Sequence, residues 1–207
     1  GPGMESVAAA VAPVPTAVQQ PQRGPGDAVM AARGALNGFA GDVLVLYGDS
    51  PMTTPETLGR LLAERQRATA PVAVIGMRPA EPGAYGRLVL GKDGTLDAIV
   101  EAKDATDAQR KITLCNSGVM AIDGQHLWSL LDAVGNSNAK HEYYLTDIVG
   151  IARSRGLACA AIEAPVEEMM GVNSRAELAE AEAAMQRRLR MRHMSEGVTF
   201  TSPESVF

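Results

Sequence analysis

Asp42-Val43-Leu44-Val45-Leu46-Tyr47, followed at once by Gly48-Asp49, is the stretch that decides the fold. Its apolar side chains do not alternate with polar ones. Such a run belongs to a strand buried on both faces, as in the centre of a parallel sheet. Gly48 and Asp49 then lie just past the strand's carboxyl end, where open α/β sheets bind their ligands. Thr54-Pro55 predicts a helix start, because threonine caps helices and proline suits the first helical position. Leu58, Leu61 and Leu62 line one face of that helix, and 72–75 is the next buried strand.

The same alternation continues toward the C-terminus. Residues 86–90 and 95–100 read as paired strands around the turn Gly91-Lys92-Asp93-Gly94. Further strands are predicted at 114–122 and 158–162, and helices at 126–134 and 146–152. Ser174-Arg175-Ala176-Glu177 is a capping box that opens a long helix, with Leu178, Ala181, Met185 and Leu189 on one face. Its glutamates fall early and its arginines late, as the helix dipole favours. Toward the N-terminus, 7–11 reads as a helix stopped by Pro13 and Pro15, 16–19 as a short strand, 23–27 as a loop and 28–36 as a helix. The pattern predicts an α/β domain with a mainly parallel sheet, made mixed by the central hairpin.

Composition sets the outer limits. A chain of 207 residues, 46% apolar and 21% charged, is globular and long enough for one domain with a substantial core. A net charge of -5 gives no electrostatic footprint for nucleic acid or an anionic membrane. No stretch approaches the roughly 20 apolar residues of a membrane span, and no secretion signal is visible. Cys115 and Cys159 lack metal spacing and read as buried small apolar residues; a lone pair of thiols points to a reducing, cytoplasmic setting. The chain opens Gly1-Pro2-Gly3-Met4, either a tag remnant before Met4 or native sequence, so a fragment of a longer protein is expected.

Several residues can carry chemistry, each with a plainer alternative. Asp49 is placed to ligate Mg²⁺ or to cap a turn. Gly86, in Tyr85-Gly86-Arg87, admits a close ligand or simply starts a strand. Glu101 and Lys103-Asp104 lie past a strand end and read either as a site or as a solvated charge run. Asn116, inside an apolar strand, needs a partner for its amide: a sugar hydroxyl or the backbone. Thr146 reads as a helix cap, Tyr144 as core or as a ring beside a sugar, and Asn173 as an amide oxygen for a metal. His126, His141 and His193 have neither metal spacing nor an evident Ser or Cys partner, so no triad is expected.

In order, Tyr47-Gly48-Asp49-Ser50-Pro51, Tyr85-Gly86-Arg87, Val100-Glu101-Ala102-Lys103-Asp104-Ala105-Thr106, Asn116-Ser117-Gly118, Glu142-Tyr143-Tyr144-Leu145-Thr146-Asp147 and Gly171-Val172-Asn173 closely resemble the GlmU family of bifunctional N-acetylglucosamine-1-phosphate uridylyltransferases. The resemblance runs from about Gln19 to Phe207. It implies a Rossmann-like nucleotidyltransferase fold that joins UTP and N-acetylglucosamine 1-phosphate into UDP-N-acetylglucosamine and pyrophosphate, with Mg²⁺. It assigns Asp49 and Asn173 to the metal. Gly86, Glu101, Asn116 and Thr146, with Tyr144 nearby, fall to the sugar, and Gln19 and Gly24 to the uridine. It divides the chain into a partial uridylyltransferase domain at 1–173, a linker helix at 174–196, and at 197–207 the start of an acetyltransferase β-helix that makes homotrimers.

Three departures accompany the resemblance. The family's Leu-x-x-Gly-x-Gly-Thr-x-Met loop, with its following lysine, does not occur in the 207 residues. Pro25 stands where the family usually has threonine, and only the first few residues of the β-helix are present. Without the loop's backbone donors the triphosphate loses its main anchor, so the isolated chain is expected to be inactive or nearly so. The alternatives are a transferase for another sugar 1-phosphate and a non-catalytic sugar-nucleotide-binding protein.

Overall fold

The computed structural model describes residues 1–138 and 140–207. In chain order the elements are α1 (Glu5–Ala10), α2 (Pro25–Ala31), β1 (Asp42–Val45), α3 (Pro55–Arg67), β2 (Val72–Met77), β3 (Arg87–Leu90) and β4 (Leu96–Val100). They continue with α4 (Asp107–Arg110), β5 (Cys115–Asp123), α5 (Gly124–Leu131), α6 (Asp147–Ser154), β6 (Cys159–Glu163), a 3₁₀ turn at Val166–Glu168, α7 (Arg175–Ser195) and a final 3₁₀ turn at Pro203–Ser205.

β2 is buried from end to end, and its side chains feed two cores by simple alternation. Val72 and Val74 join Met120, Ile122, Leu127, Leu130 and Ile148 under α5 and α6. Ala73 and Ile75 join Leu61, Val119, Ala121 and Ala160 under α3. The result is a sheet with helices on both faces. α3 starts as its sequence demands: Pro55 is at the first position, and Thr54 Oγ1 accepts from Thr57 N at 3.2 Å.

The sheet is mixed, in the order β4-β3-β5-β2-β6, with β1 also on β5. β1, β2, β3 and β6 share one direction, yet among the described residues only β2–β6 is a parallel ladder; β5 runs antiparallel to β1, β2 and β3. The mainly parallel sheet of the sequence reading is thus broken by β5, which lies between β1 and β2 against their direction. β5 has β2 along one edge. On its other edge β3 meets its start at Cys115, while β1 covers 120–123. A notch remains between them, beside Asn116–Val119. There β5 also bulges: from Val74 to Gly76 on β2, β5 advances from Met120 to Asn116.

Other differences are local. Residues 16–19 form no strand, because Gln19 turns inward and donates to Gly24 O at 3.0 Å and Asp27 Oδ2 at 2.9 Å. The helix expected at 28–36 starts earlier, at Pro25, and gives way to turns after Ala31. The Ser174 box is half formed: Ser174 Oγ accepts from Glu177 N, but Glu177 Oε2 accepts from Asn173 N at 2.7 Å. A complete box, Thr106 with Gln109, opens α4 instead, a helix the periodicity does not reveal. α7 is largely solvent-facing; Ala181 is buried, whereas Leu178 is exposed.

Leu61 is fully buried between α3 and the sheet. Leu61→Ala is expected to cost about 2–5 kcal/mol in urea denaturation. Leu178→Ala, on the exposed face of α7, is expected to stay within about 0.5 kcal/mol of wild type.

Candidate active site

The notch beside the β5 bulge opens into a cavity of about 430 Å³. Asp49, Gly86, Glu101, Asn116, Tyr144, Thr146 and Asn173 all line it. Seven positions scattered over more than a hundred residues thus share one wall, each at or near the end of a strand or the start of a helix.

Asn116 and Gly118 are placed by the bulge. Gly118 has φ +91°, and a Cβ there would fall 2.7 Å from the Tyr47 ring, so the ring lies directly on its backbone. Asn116 Oδ1 accepts from Gly118 N at 3.0 Å. The amide oxygen is therefore turned to the backbone, which leaves the NH₂ group as the polar end for the cavity. Gly86 is buried, and a Cβ there would meet only ordinary contacts of 3.4–3.6 Å. Its own fold does not demand glycine, so the missing side chain serves the space in front of it.

Glu101 and Thr146 form a pair. Thr146 occupies the N-cap position of α6 but caps nothing; its Oγ1 donates to Glu101 Oε1 at 3.1 Å. Burial, then Glu101 and Asp104, pushes the Asp147 carboxyl above its ordinary value. Desolvation raises both phenols as well, with Asp104, Glu101, Glu142 and Asp147 adding to it at Tyr144, and Glu101 and Asp49 at Tyr47. Both tyrosines therefore face the cavity as neutral O–H donors at pH 7.

Asp49 and Asn173, far apart in sequence, both lie beside Gly171 in the cavity wall. A Cβ on Gly171 would lie 3.5 Å from Asn173 Nδ2 and 4.0 Å from Asp49 Oδ2. Val172 N donates to Asp49 O at 2.7 Å and locks the two loops together. A carboxylate and an amide oxygen are hard donors that suit Mg²⁺, which takes its remaining ligands from phosphates and water. A half-turn of the Asn173 amide presents its oxygen beside Gly171.

Gln19 and Gly24 lie outside the cavity lining, although Pro25 is part of it. Gly24 has φ +100°, and a Cβ would fall 2.8 Å from Glu142 Cβ. Tyr143 N donates to Arg23 O and Gly26 N to Tyr143 O, both at 2.8 Å, so this corner is clasped to the 142–146 segment. Pro25 fits as the first residue of α2, where no N–H is needed. Arg23 also stacks on Tyr143 and pairs with the buried Asp27. Burial pushes the Asp27 carboxyl up, but hydrogen bonds from Arg23 and Gln19 outweigh it and hold the group below the usual range.

Sequence reasoning passed over Tyr47, Gly118, Lys140, Glu142 and Gly171 as site residues, all of which line or shape the cavity. A glycine inside a strand was the signal for Gly118. Lys140 lies in a polar loop and carries no signal of its own.

A sheet of this topology, with its cavity at the strand ends, belongs to a nucleotidyltransferase: residues 3–119 match the MobA-like NTP transferase domain, and the chain is a member of that family. Over its whole length it is also similar to proteins named bifunctional protein GlmU, with 59% identity to that of Rhodospirillum rubrum and 54% to that of Paramagnetospirillum magneticum. The corresponding protein of Maricaulis maris is 52% identical over 93% of the chain. The chain spans 46% of the length of the first two relatives and 42% of the third. No helix among the described residues is long and apolar enough to cross a membrane.

Two outcomes are expected from the geometry of the corner. Gly24→Ala should lower stability by about 2 kcal/mol, from positive φ and the clash with Glu142, whereas Gly86→Ala should melt like wild type. Asp27 has a folded pKa below its unfolded value, so its contribution is present above about pH 4 and is lost as pH falls through the folded pKa. Asp27→Asn should therefore be about 1 kcal/mol less stable than wild type at pH 7, with the gap closing in acid during thermal melts at stepped pH.

Proposed function

We propose that this chain is the greater part of a domain that transfers UMP from UTP to N-acetylglucosamine 1-phosphate, giving UDP-N-acetylglucosamine and pyrophosphate. The observation that carries the reading is one cavity with two chemically distinct ends. One end has the Glu101–Thr146 pair, the Asn116 amide and the bare face of Gly86; the other has Asp49 and Asn173 over Gly171. Glu101 and Asn116 would read sugar hydroxyls and the acetamido group. Mg²⁺ held by Asp49 and Asn173 would supply positive charge to the phosphate oxygens. Lys103 and Lys140 line the same cavity and add cationic charge.

The sugar phosphate oxygen attacks the α-phosphorus of UTP, a new P–O bond forms, and the bond to the β-phosphate breaks. The chain provides alignment and charge for this rather than a nucleophile of its own. The corner at Gln19–Pro25 would stand against the uridine. α7 would act as a linker helix, leading at 197–207 into the trimeric acetyltransferase module of a cytoplasmic enzyme. The 207 residues contain no glycine-rich triphosphate loop, so they are expected to bind product without turning substrate over.

Calorimetry on the purified chain with Mg²⁺ tests this. UDP-N-acetylglucosamine should bind more tightly than UDP-glucose. Glu101→Gln and Asn116→Ala should each weaken it by about 10–100-fold, and Gly86→Ala should weaken it without altering the melt. Pyrophosphate release from UTP and N-acetylglucosamine 1-phosphate should be absent. Equal binding of the two UDP-sugars would overturn the sugar assignment, and robust turnover would overturn the need for the loop.

A further inference from the structure

Glu168 lies outside the cavity lining, at the end of the 3₁₀ turn that follows β6. Its carboxylate is bonded to the loop that precedes α3. Thr54 Oγ1 donates to Glu168 Oε2 at 2.8 Å, and Thr54 N approaches the same oxygen at 3.4 Å. Thr53 Oγ1 donates to the backbone oxygen of Glu168 at 3.3 Å. Four residues further on, Val172 N donates to Asp49 O at 2.7 Å. From α7, Arg188 Nη1 donates to Met52 O at 2.9 Å.

These bonds join two segments far apart in sequence: 49–54, which carries Asp49, and 168–173, which carries Asn173. Each segment supplies one of the two side chains beside Gly171: the Asp49 carboxylate, and the Asn173 amide, whose oxygen turns there by a half-turn. Apart from Glu168 at the end of the 3₁₀ turn, neither segment lies in a strand or helix, so their separation rests on these few bonds. Resting on the reading that this pair holds a divalent cation, we infer that Glu168 is a positioning residue, whose bond to Thr54 acts with the Val172–Asp49 bond to hold Asp49 and Asn173 at their separation. It does so without touching cation or substrate. A charge-assisted bond of this kind is stronger than a neutral one, and it acts at the root of both loops.

Thr54 also caps α3 through its acceptance from Thr57 N, and that bond does not require Glu168. Loss of the carboxylate should therefore loosen the two loops while leaving the helix and the core in place.

The test uses the 207-residue chain and two readouts. Amide exchange on the metal-free protein reads the brace itself: Glu168→Ala should speed exchange at Val172 by about tenfold or more and leave β2 amides unchanged. Mn²⁺ titration followed by electron paramagnetic resonance, with UDP-N-acetylglucosamine present, reads the cation, since Mn²⁺ shares the oxygen preference of Mg²⁺. Glu168→Ala should need at least about fivefold more Mn²⁺ for half-saturation. Glu168→Gln, whose amide oxygen still accepts from Thr54, should stay within about twofold of wild type. Affinity for the UDP-sugar without metal should not change. Unaltered Mn²⁺ binding in Glu168→Ala overturns the inference, as does an equal loss in both variants or a parallel loss of metal-free affinity. Wild-type protein that binds the UDP-sugar but takes up no Mn²⁺ overturns the metal role of Asp49 and Asn173, and that of Glu168 with it.

Discussion

β5 must pair with three strands at once, and most of the molecule follows from how it manages this. Nine residues offer two edges of hydrogen-bonding groups. β2 takes one edge, and β3 and β1 divide the other end to end. The division is incomplete, and the strand bulges where neither neighbour reaches. A bulge normally weakens a ladder. Here Ser117 Oγ repairs it by donating to Ile75 O at 2.8 Å, while Asn116 folds onto Gly118. The cavity is the space left by that local loss of pairing, and its floor is backbone with Tyr47 lying on it.

Much of this was legible in the sequence and some could not be. The apolar run ending at Gly48-Asp49 located a strand and the loop beyond it, but not its burial: β1 stops at Val45, pairs with β5 alone among the described residues and is half-buried, with Leu46 and Tyr47 exposed, rather than covered on both faces. Thr54-Pro55 located the following helix to the residue. Strand direction was not legible. Periodicity reports which face of a strand is buried and carries no arrow, so β5 looked like any other buried strand. The apparent strand at 16–19 failed for a different reason: a glutamine side chain found a buried carboxylate eight residues on, a partner no local pattern displays.

The site divides along the same line. Asp49, Glu101 and Asn116 were singled out from position and motif, and the cavity gathers them. Thr146 lines the cavity as well, and its plainer reading as a helix cap does not hold, since its hydroxyl turns to Glu101. Gln19 and Gly24 lie outside the cavity lining, in a corner that clasps Tyr143 beside it. Tyr47 and Gly171 matter through what they lie against, and such contacts exist only once the chain has folded.

The alternation along β2 has a consequence for how the domain comes apart. Val72 and Val74 belong to one core, Ala73 and Ile75 to the other, and all four sit on a single six-residue strand. Neither helical layer can release its half of the strand without exposing the other half to water. The two cores are therefore one cooperative unit, and partial melting is confined to the parts that β2 does not own: α1, the turns after α2 and the outer length of α7.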